Sequence, residues 1–284
     1  MEAKRVKELS IIANRVRKHA ITGVYSAKSG HPGGSCSVAD ILTTLYFDKM
    51  NVDPKNPKNP DRDRFVLSKG HCAPALYGVL AERGFFATEE MVNLRKLGHY
   101  LQGHPDMKGV PGVDMSTGSL GQGVSAANGM ALAAKLDKKD YRVYTVTGDG
   151  ELEEGQVWEA AMFAAHYKLD NLTLFVDHNG LQIDGEITAV MNPNPVGDKY
   201  ASFGWHVIAV DGHDIGAISD AIEEAKTIKG KPTCIVCETV KGKGVSFMEN
   251  KAGWHGTAPK EDEYKAAMAE LDKAIEELEV EVNG

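Results

Sequence analysis

Apolar residues near the start of the chain recur every three or four positions, which is the spacing of one face of a helix. This stripe consists of Val6, Leu9, Ile12, Val16 and Ala20. A second helix is predicted over 37–48, with Ser37 as its N-cap, because a serine hydroxyl can accept from the first free amides of a helix. The stretch 51–63 is rich in Pro, Asn and Lys and is predicted to be a loop.

Short apolar segments alternate with amphipathic ones along the rest of the chain. Strands are predicted over 64–68, 142–147, 172–177, 206–210 and 233–239, and helices over 73–83, 153–167 and 214–227. Several of the strands are β-branched and apolar on both faces, as expected for a parallel sheet that helices cover on both sides. The pattern predicts an α/β fold with a doubly wound, mostly parallel sheet and helices on both faces.

The last amphipathic segment, 260–281, is predicted to be a helix with a narrow apolar seam. Its apolar residues are Tyr264, Met268, Leu271, Ile275 and Leu278. With 284 residues, of which 42% are hydrophobic and 25% charged, the chain has the composition of an ordinary globular protein. We expect a single domain over 1–284 that includes this C-terminal helix.

Charge, hydropathy and cysteine content argue against a nucleic-acid partner, a membrane partner and a disulfide framework. A formal net charge of −8 does not favour a nucleic-acid partner, because phosphate neutralisation needs concentrated Lys and Arg. No apolar run approaches the ~18 residues of a membrane span, and no signal-peptide stretch follows Met1, so no membrane partner is expected. Four cysteines are too few for a disulfide framework, and Cys234 and Cys237 would face opposite sides of one strand. These features favour a cytoplasmic, thiol-reduced protein.

Polar residues follow two of the predicted strands at the point where an open α/β sheet binds its ligands. Asp149 lies between Gly148 and Gly150 at the start of a helix, where glycine and free amides allow an anion to approach closely. Asn179 follows the next strand. Carboxylate and amide oxygens suit Mg²⁺, which prefers to share its six ligands with a diphosphate and water. Gly-Asp-Gly alone is usually only a turn, so the interpretation as a magnesium site depends largely on Asn179 at the second strand end.

Seven short motifs, rich in glycine and histidine, are spread over nearly the whole chain. They are Lys28–Gly34, Leu67–His71, Gly103–Pro105, Ser116–Gly123, Gly148–Gly155, Asn179–Leu181 and Trp254–Gly256. The Asp149 and Asn179 motifs resemble those shared by thiamine diphosphate enzymes. The whole series, in this order, resembles more specifically the N-terminal half of the transketolase family. The resemblance implies the thiamine diphosphate-binding fold, with thiamine diphosphate and Mg²⁺ as cofactors and Ca²⁺ or Mn²⁺ as substitutes for the magnesium.

The resemblance also assigns cofactor-binding residues. They are Lys69, His71, Gly118, Ser119, Leu120, Asp149, Gly150, Glu154, Asn179, Lys241 and His255. Among them Asp149 and Asn179, together with the Leu181 carbonyl, would hold the metal. Lys69 and Lys241 fit a solvated surface lysine equally well. Glu154 would link paired active sites through a subunit contact, or serve simply as a carboxylate at a helix N-terminus.

Four of the ten histidines lie in these motifs: His31, His71, His104 and His255. By resemblance they are catalytic: His31 and His255 would polarise and deprotonate the substrate, while His71 and His104 would bind its oxygens. Imidazole suits this work because its pKa lies near working pH. The remaining histidines are interpreted as packed or surface residues: His19, His99, His166, His178, His206 and His213. A zinc site built from histidines lacks the usual ligand spacing.

The implied reaction is that of transketolase (EC 2.2.1.1, in the pentose phosphate pathway), which transfers a two-carbon ketol unit from a ketose phosphate to an aldose phosphate. In this family the glutamate that activates the cofactor lies in a second domain, which the motifs here do not include. We therefore expect the N-terminal subunit of a split transketolase, paired with a C-terminal subunit that carries the pyrimidine-binding domain, in two copies of each.

Three alternatives remain open. The chain could be a subunit of a deoxyxylulose-phosphate synthase-like or 2-oxo-acid dehydrogenase-like enzyme with the same cofactor. It could be a non-catalytic cofactor-binding module, or a metal-dependent hydrolase.

Overall fold

Five parallel strands form the central sheet of the computed structural model, which describes residues 1–283. Residues 1–283 contain seven strands, which in chain order are β1 (Arg64–Leu67), β2 (Val143–Gly148), β3 (Leu172–His178), β4 (Leu181–Gln182), β5 (Gly185–Glu186), β6 (His206–Asp211) and β7 (Thr233–Glu238). The sheet has the order β1-β2-β3-β7-β6, and β4 and β5 form a separate antiparallel hairpin. All neighbours in the large sheet are parallel, as predicted.

Helices cover both faces of this sheet. They are α1 (Ala3–Ala27), α2 (Pro32–Thr44), α3 (Ala73–Arg83), α4 (Gln122–Leu136), α5 (Gly155–His166), α6 (Ile187–Val190), α7 (Val196–Ser202), α8 (Ile215–Thr227) and α9 (Glu261–Asn283). One core lies between the sheet and α1, α2, α3 and α8, and a second lies between the opposite face and α4, α5 and α7. The predicted doubly wound α/β fold is confirmed.

Successive side chains of a strand point to opposite faces of the sheet, so each strand contributes to both cores. Phe175 in β3 belongs to the first core, whereas its neighbours Leu174 and Val176 belong to the second. The two cysteines of β7 divide in the same way: Cys234 is buried on one face and Cys237 on the other, and both are free thiols. The interpretation of these cysteines as core residues is therefore confirmed.

The start of α2 differs from the prediction. The helix begins at Pro32, and Ser37 lies inside it, so the predicted N-cap is wrong. Proline fits the first turn of a helix, where its missing amide costs nothing. The Ser37 hydroxyl instead donates to Oδ2 of Asp177 in β3, at 2.5 Å. The last part of the predicted helix is a π-helical turn over Leu45–Lys49.

The helix α4 was not predicted. Its sequence is rich in alanine and glycine and has few large apolar side chains to mark a buried stripe. The tail helix α9 spans Glu261–Asn283 rather than 260–281 and packs on α1, with Leu271 and Ile275 buried and the rings of Tyr25 and Tyr264 stacked 4.2 Å apart. Within residues 1–283, no helix combines the length and apolar character of a membrane span.

Candidate active site

Four neighbouring strands of the sheet end at the same edge, and the residues after them line one cleft of about 380 Å³. The strands are β1, β2, β3 and β7, so the cleft lies where an open parallel sheet binds ligands. Among its lining residues are eleven that the sequence assigned to the site: Lys69, His71, Gly118, Leu120, Asp149, Gly150, Glu154, Asn179, Leu181, Lys241 and His255. Ser119 is exposed and does not line the cleft.

Asp149 and Asn179 present oxygens to this cleft from adjacent strand ends. Oδ2 of Asp149 accepts from the Gly180 amide at 2.7 Å, and Oδ1 accepts from Nδ1 of His178. Oδ1 of Asn179 accepts from the Leu181 amide at 3.2 Å. Each of these oxygens keeps a second lone pair, so the set can also ligate a cation. His178 was interpreted as a packed or surface residue, but it directly contacts the predicted metal ligand.

These donors fit a magnesium ion better than a zinc ion. Nowhere in residues 1–283 do three or more His, Cys, Asp or Glu side chains cluster as a zinc site would require. One carboxylate, one amide oxygen and one carbonyl leave half of an octahedral shell open, as suits Mg²⁺ that shares a diphosphate and water.

Lys69 is buried beneath the cleft and is not a solvated surface lysine. Its ammonium group donates to Oδ2 of Asp177, which is itself fully buried, and lies 3.3 Å from the Gly34 carbonyl. Burial alone lowers the pKa of Lys69, but the attraction of Asp177 outweighs it and raises that pKa above its ordinary value. Asp177 also accepts from the hydroxyls of Ser37 and Thr239. The pair is therefore charged, and both of its groups have further hydrogen-bond partners.

Lys241 is also buried, so the surface interpretation fails for it too. Its Nζ lies 3.1 Å from Nδ1 of His255. The pKa of Lys241 is lowered, first by burial and then by the nearby charge of Lys69. No carboxylate forms an ion pair with Lys241 among residues 1–283, in contrast to Lys69. An anionic ligand in the cleft would find this ammonium group available.

The four histidines singled out in the sequence meet beside the cleft. The ring centroid of His31 lies 5.2 Å from that of His71, 5.3 Å from that of His255 and 6.3 Å from that of His104. The His71 and His255 rings are 5.0 Å apart. His71 and His255 line the cleft directly, whereas His31 and His104 do not line it, and His104 is exposed. Nδ1 of His31 is buried without a hydrogen-bond partner among the described residues.

Burial and nearby cations keep these histidines neutral. Burial, followed by the charge of Arg95, lowers the pKa of His31 to about 4. Burial and Lys241 lower the pKa of His255 to about 3. The pKa values of His71 and His104 are lowered for the same kind of reason. A neutral imidazole has one donor and one acceptor nitrogen, so the cluster can bind several hydroxyl and carbonyl oxygens together.

Glycine allows the backbone to pass close to this cluster. Gly118 has φ +155°, and a Cβ there would lie 3.2 Å from the His104 ring. At Gly121, where φ is +81°, a Cβ would meet the Glu154 side chain at 3.0 Å. A side chain at either position would fill space between the loop and the cleft, which explains why glycines occupy them.

Glu151 is a residue of the cleft that sequence reasoning missed. It is buried and accepts from the Gly121 amide at 2.9 Å, from the Gly148 amide at 3.2 Å and from the Ser68 hydroxyl. Burial raises the pKa of Glu151 to about 7, against the lowering effect of these hydrogen bonds. Its carboxyl ties the Gly118–Gly121 loop to the end of β2. Glu151 lies in a short 3-10 turn before α5, where the sequence gives no signal that a glutamate is buried.

Comparisons with known proteins identify the family of this chain. A family model described as "Transketolase, thiamine diphosphate binding domain" matches residues 9–280. The chain belongs to the transketolase family. It is 50% identical over 262 residues to the 6-deoxy-6-sulfo-D-fructose transketolase subunit SqwG of Clostridium sp. (strain MSTE9), a match that covers 92% of this chain and 95% of that protein. It is 44% identical over 280 residues to one of the subunits of apulose-4-phosphate transketolase from Phocaeicola vulgatus, a match that covers 99% of both.

Solved transketolase structures share the fold. A crystal structure of transketolase from Campylobacter jejuni superimposes with a TM-score of 0.88 at 32% identity, covering the whole of this chain and 48% of that one. The chain thus spans about half the length of the solved transketolases it matches. The resemblance to the N-terminal half of a transketolase is confirmed, and the two relatives named as subunits support the N-terminal subunit of a split enzyme.

Glu154, which in transketolases would link paired active sites, stands at the N-cap position of α5. Its side chain is exposed and makes no capping hydrogen bond. Farther along the same helix, Met162 is 56% exposed and Phe163 is 37% exposed. A carboxylate at a helix N-terminus and a subunit contact are both compatible with this position.

Proposed function

We propose that this chain is the thiamine diphosphate-binding subunit of a two-subunit transketolase. One observation carries the proposal: a single cleft brings an Asp149–Asn179 oxygen pair together with a cluster of four neutral histidines. An oxygen pair alone would fit many magnesium enzymes, and a histidine cluster alone would fit many hydrolases. Their combination fits a cofactor diphosphate anchored at one end of a cleft and a sugar bound at the other.

Asp149, Asn179 and the Leu181 carbonyl would hold Mg²⁺ and, through it, the diphosphate. Lys241 would add positive charge to the cleft, near His255. Lys69 lines the cleft, but two of its three ammonium donors already bind Asp177 and the Gly34 carbonyl, so we assign it no primary contact. Its role would be to fix the floor of the cleft.

Bound thiamine diphosphate supplies an electron sink for cleaving a carbon–carbon bond. The histidines supply the proton handling that this cleavage needs. His31 and His255 would polarise the substrate carbonyl and accept the hydroxyl proton, and His71 and His104 would hold the other sugar oxygens. Because all four are neutral, they can donate to an oxygen that gains negative charge without repelling a cationic neighbour.

The substrates are proposed to be a ketose phosphate as donor and an aldose phosphate as acceptor. The two relatives named above act on a sulfonated sugar and on apulose 4-phosphate, which share an anionic end. A sulfonated sugar is therefore the specific alternative to a phosphorylated one for this chain. Comparing both donors in one assay separates them.

The partner is proposed to be a C-terminal transketolase subunit with a pyrimidine-binding domain, in a complex with two copies of each chain. The exposed Glu154, Met162 and Phe163 on α5 would lie in a subunit contact. We place the complex in the cytoplasm, consistent with four buried, unpaired cysteines.

Reconstitution tests the proposal. The purified chain should bind thiamine diphosphate in the presence of Mg²⁺ and should transfer no ketol units alone. Adding the separate C-terminal subunit should produce transfer from ketose to aldose. Full transfer by the chain alone would contradict the two-subunit proposal. Release of carbon dioxide from pyruvate by the reconstituted pair would instead favour a synthase-like or oxo-acid dehydrogenase-like enzyme.

A further inference from the structure

His213 connects two parts of the fold outside the cleft. It lies in the turn between β6 and α8, and its Nδ1 is 2.7 Å from Oδ2 of Asp40 in α2. On the other side of the ring, Nε2 accepts from the Val240 amide at 2.8 Å, just after β7. A backbone amide can only donate, so Nε2 must be the unprotonated nitrogen and Nδ1 carries the proton. Both nitrogens of this imidazole are therefore engaged in hydrogen bonds.

The carboxylate on one side of His213 is firmly anchored. Asp40 is buried and also accepts from the guanidinium group of Arg17 in α1. Arg17 in turn donates from Nε to the Cys36 carbonyl at 3.1 Å. Burial raises the pKa of Asp40, but Arg17 and His213 outweigh that effect and keep it below its ordinary value. His213 is thus held by a charged, buried group of the core.

The amide on the other side of His213 belongs to the segment that carries Lys241. Val240 precedes Lys241, and the Gly242 amide after it donates to the Gly33 carbonyl at 2.9 Å. The carbonyl of Lys241 itself accepts from the Asn250 amide at 2.9 Å. The backbone around Lys241 is therefore held by His213 before it and by α2 after it.

We infer that His213 is a positioning residue that fixes the Val240–Gly242 segment so that the Lys241 ammonium group meets His255 in the cleft. His213 does not line the cleft itself, so it acts only through this segment. Without His213 as acceptor, the partly buried Val240 amide has no hydrogen-bond partner. The segment must then shift so that this amide finds another acceptor. The inference concerns the site described under Proposed function and rests on that function for its consequence on cofactor binding.

Two substitutions separate the two hydrogen bonds of the ring. His213→Gln places an amide oxygen near the position of Nε2 and can still accept from Val240, but it loses the bond to Asp40. His213→Asn places an amide nitrogen near the position of Nδ1 and can still donate to Asp40, but it is too short to reach Val240. His206→Asn is the matched control, because His206 also pairs with a carboxylate, Glu224, at 2.7 Å but contacts no residue of the Val240–Gly242 segment.

The first measurement needs no cofactor. The titration of the His255 imidazole is followed by NMR in the full chain; its surroundings include His31, His71, Lys69 and Lys241. Because the Lys241 charge helps to lower the pKa of His255, displacement of Lys241 should move that pKa up toward its ordinary value. We expect this upward movement in His213→Asn and not in His213→Gln or His206→Asn. An unchanged titration in His213→Asn would overturn the inference.

The second measurement is the affinity for thiamine diphosphate with Mg²⁺, by calorimetry, beside the Tm of each variant. His213→Asn should weaken binding by about tenfold, which corresponds to about 1.4 kcal/mol. His213→Gln should bind within about twofold of the native chain although its Tm also falls. If His213→Asn and His213→Gln lost affinity equally, and in proportion to their fall in Tm, His213 would have only a structural role. No binding by the native chain would instead contradict the proposed function and leave the NMR result to decide this inference.

Discussion

Nδ1 of His178 donates to Oδ1 of Asp149, so the predicted metal ligand is oriented by a histidine from the neighbouring strand. The contact is chiefly responsible for raising the pKa of His178. A ligating carboxylate is commonly fixed by such an outer partner, and losing the partner typically weakens metal binding.

Replacing this donor should therefore weaken cation-dependent cofactor binding. His178→Leu is expected to lower the apparent Mg²⁺ affinity, measured by calorimetry with thiamine diphosphate, by about tenfold. His178→Asn retains a donor near the position of Nδ1 and should lose less. The exposed His166 of α5 provides the control variant His166→Leu. Equal affinities in the native, Leu and Asn proteins would show that His178 does not orient Asp149.

Removing the charge of Asp149 should have a larger effect. Asp149→Asn keeps the shape of the side chain but loses the only carboxylate of the proposed metal ligands, so Mg²⁺-dependent binding of thiamine diphosphate should be abolished. Asp184→Asn, at an exposed carboxylate in the β4–β5 turn, is the matched control and should bind normally. Native-like calorimetric affinity in Asp149→Asn would remove Asp149 from the metal site.

The buried pair of Lys69 and Asp177 should dominate the stability of the cleft floor. Lys69→Met leaves an uncompensated charge in the core and should lower the free energy of unfolding by about 3–5 kcal/mol in urea titrations. Adding Asp177→Asn to the same chain removes that charge and should recover part of the loss.

Lys265→Ala is the control for this pair. It breaks an exposed ion pair with Glu261 and should leave the unfolding midpoint unchanged. A small effect of Lys69→Met, equal to that of the control, would mean that Asp177 is not charged in the folded protein.

The neutral histidines predict how stability depends on pH. In the unfolded chain a histidine titrates near its ordinary pKa of 6.5, whereas the pKa is about 4 for folded His31 and about 3 for folded His255. Between pH 7 and 5 the unfolded state therefore binds more protons at these sites, and the folded protein loses stability as pH falls. Glu151 acts in the opposite direction in this range, because its pKa is raised to about 7.

A double variant isolates the histidine contribution. In His31→Asn/His255→Asn, the fall in Tm from pH 7 to pH 5 should be smaller than in the native chain. The exposed His166→Asn serves as the control and should retain the native fall. If the double variant loses as much Tm as the native chain, these two histidines are not the groups that remain neutral.

Much of the fold could be predicted from the sequence because its signals are local. The strands β2 and β3 are rich in apolar and β-branched residues and are buried except at His178, and Asp214 caps α8 through an accepted hydrogen bond from Ala217. Prediction failed where the signal was weak or where another contact competed. The helix α4 lacks an apolar stripe, and Ser37 uses its hydroxyl for Asp177 rather than for a helix cap.

The candidate site, like the fold, could be predicted from the sequence only in part. Motif glycines and histidines mark which segments meet, and the structure brings those segments to one edge of the sheet. The pairings that join them, such as Lys69 with Asp177 and His178 with Asp149, depend on which strands are neighbours. Strand order follows from tertiary packing, so no local pattern in the sequence could reveal these partners.

The position of β7 between β3 and β6 has a consequence for folding. The cleft takes residues from near position 70 and from near position 240, and these meet only when β1, β2, β3 and β7 have paired. Partly folded chains therefore have no binding site, and a ligand in this cleft selects fully folded molecules. At a hundredfold excess over its dissociation constant, such a ligand would add about 2.7 kcal/mol to the stability of the entire sheet. Binding in this cleft would therefore stabilise the folded chain against unfolding.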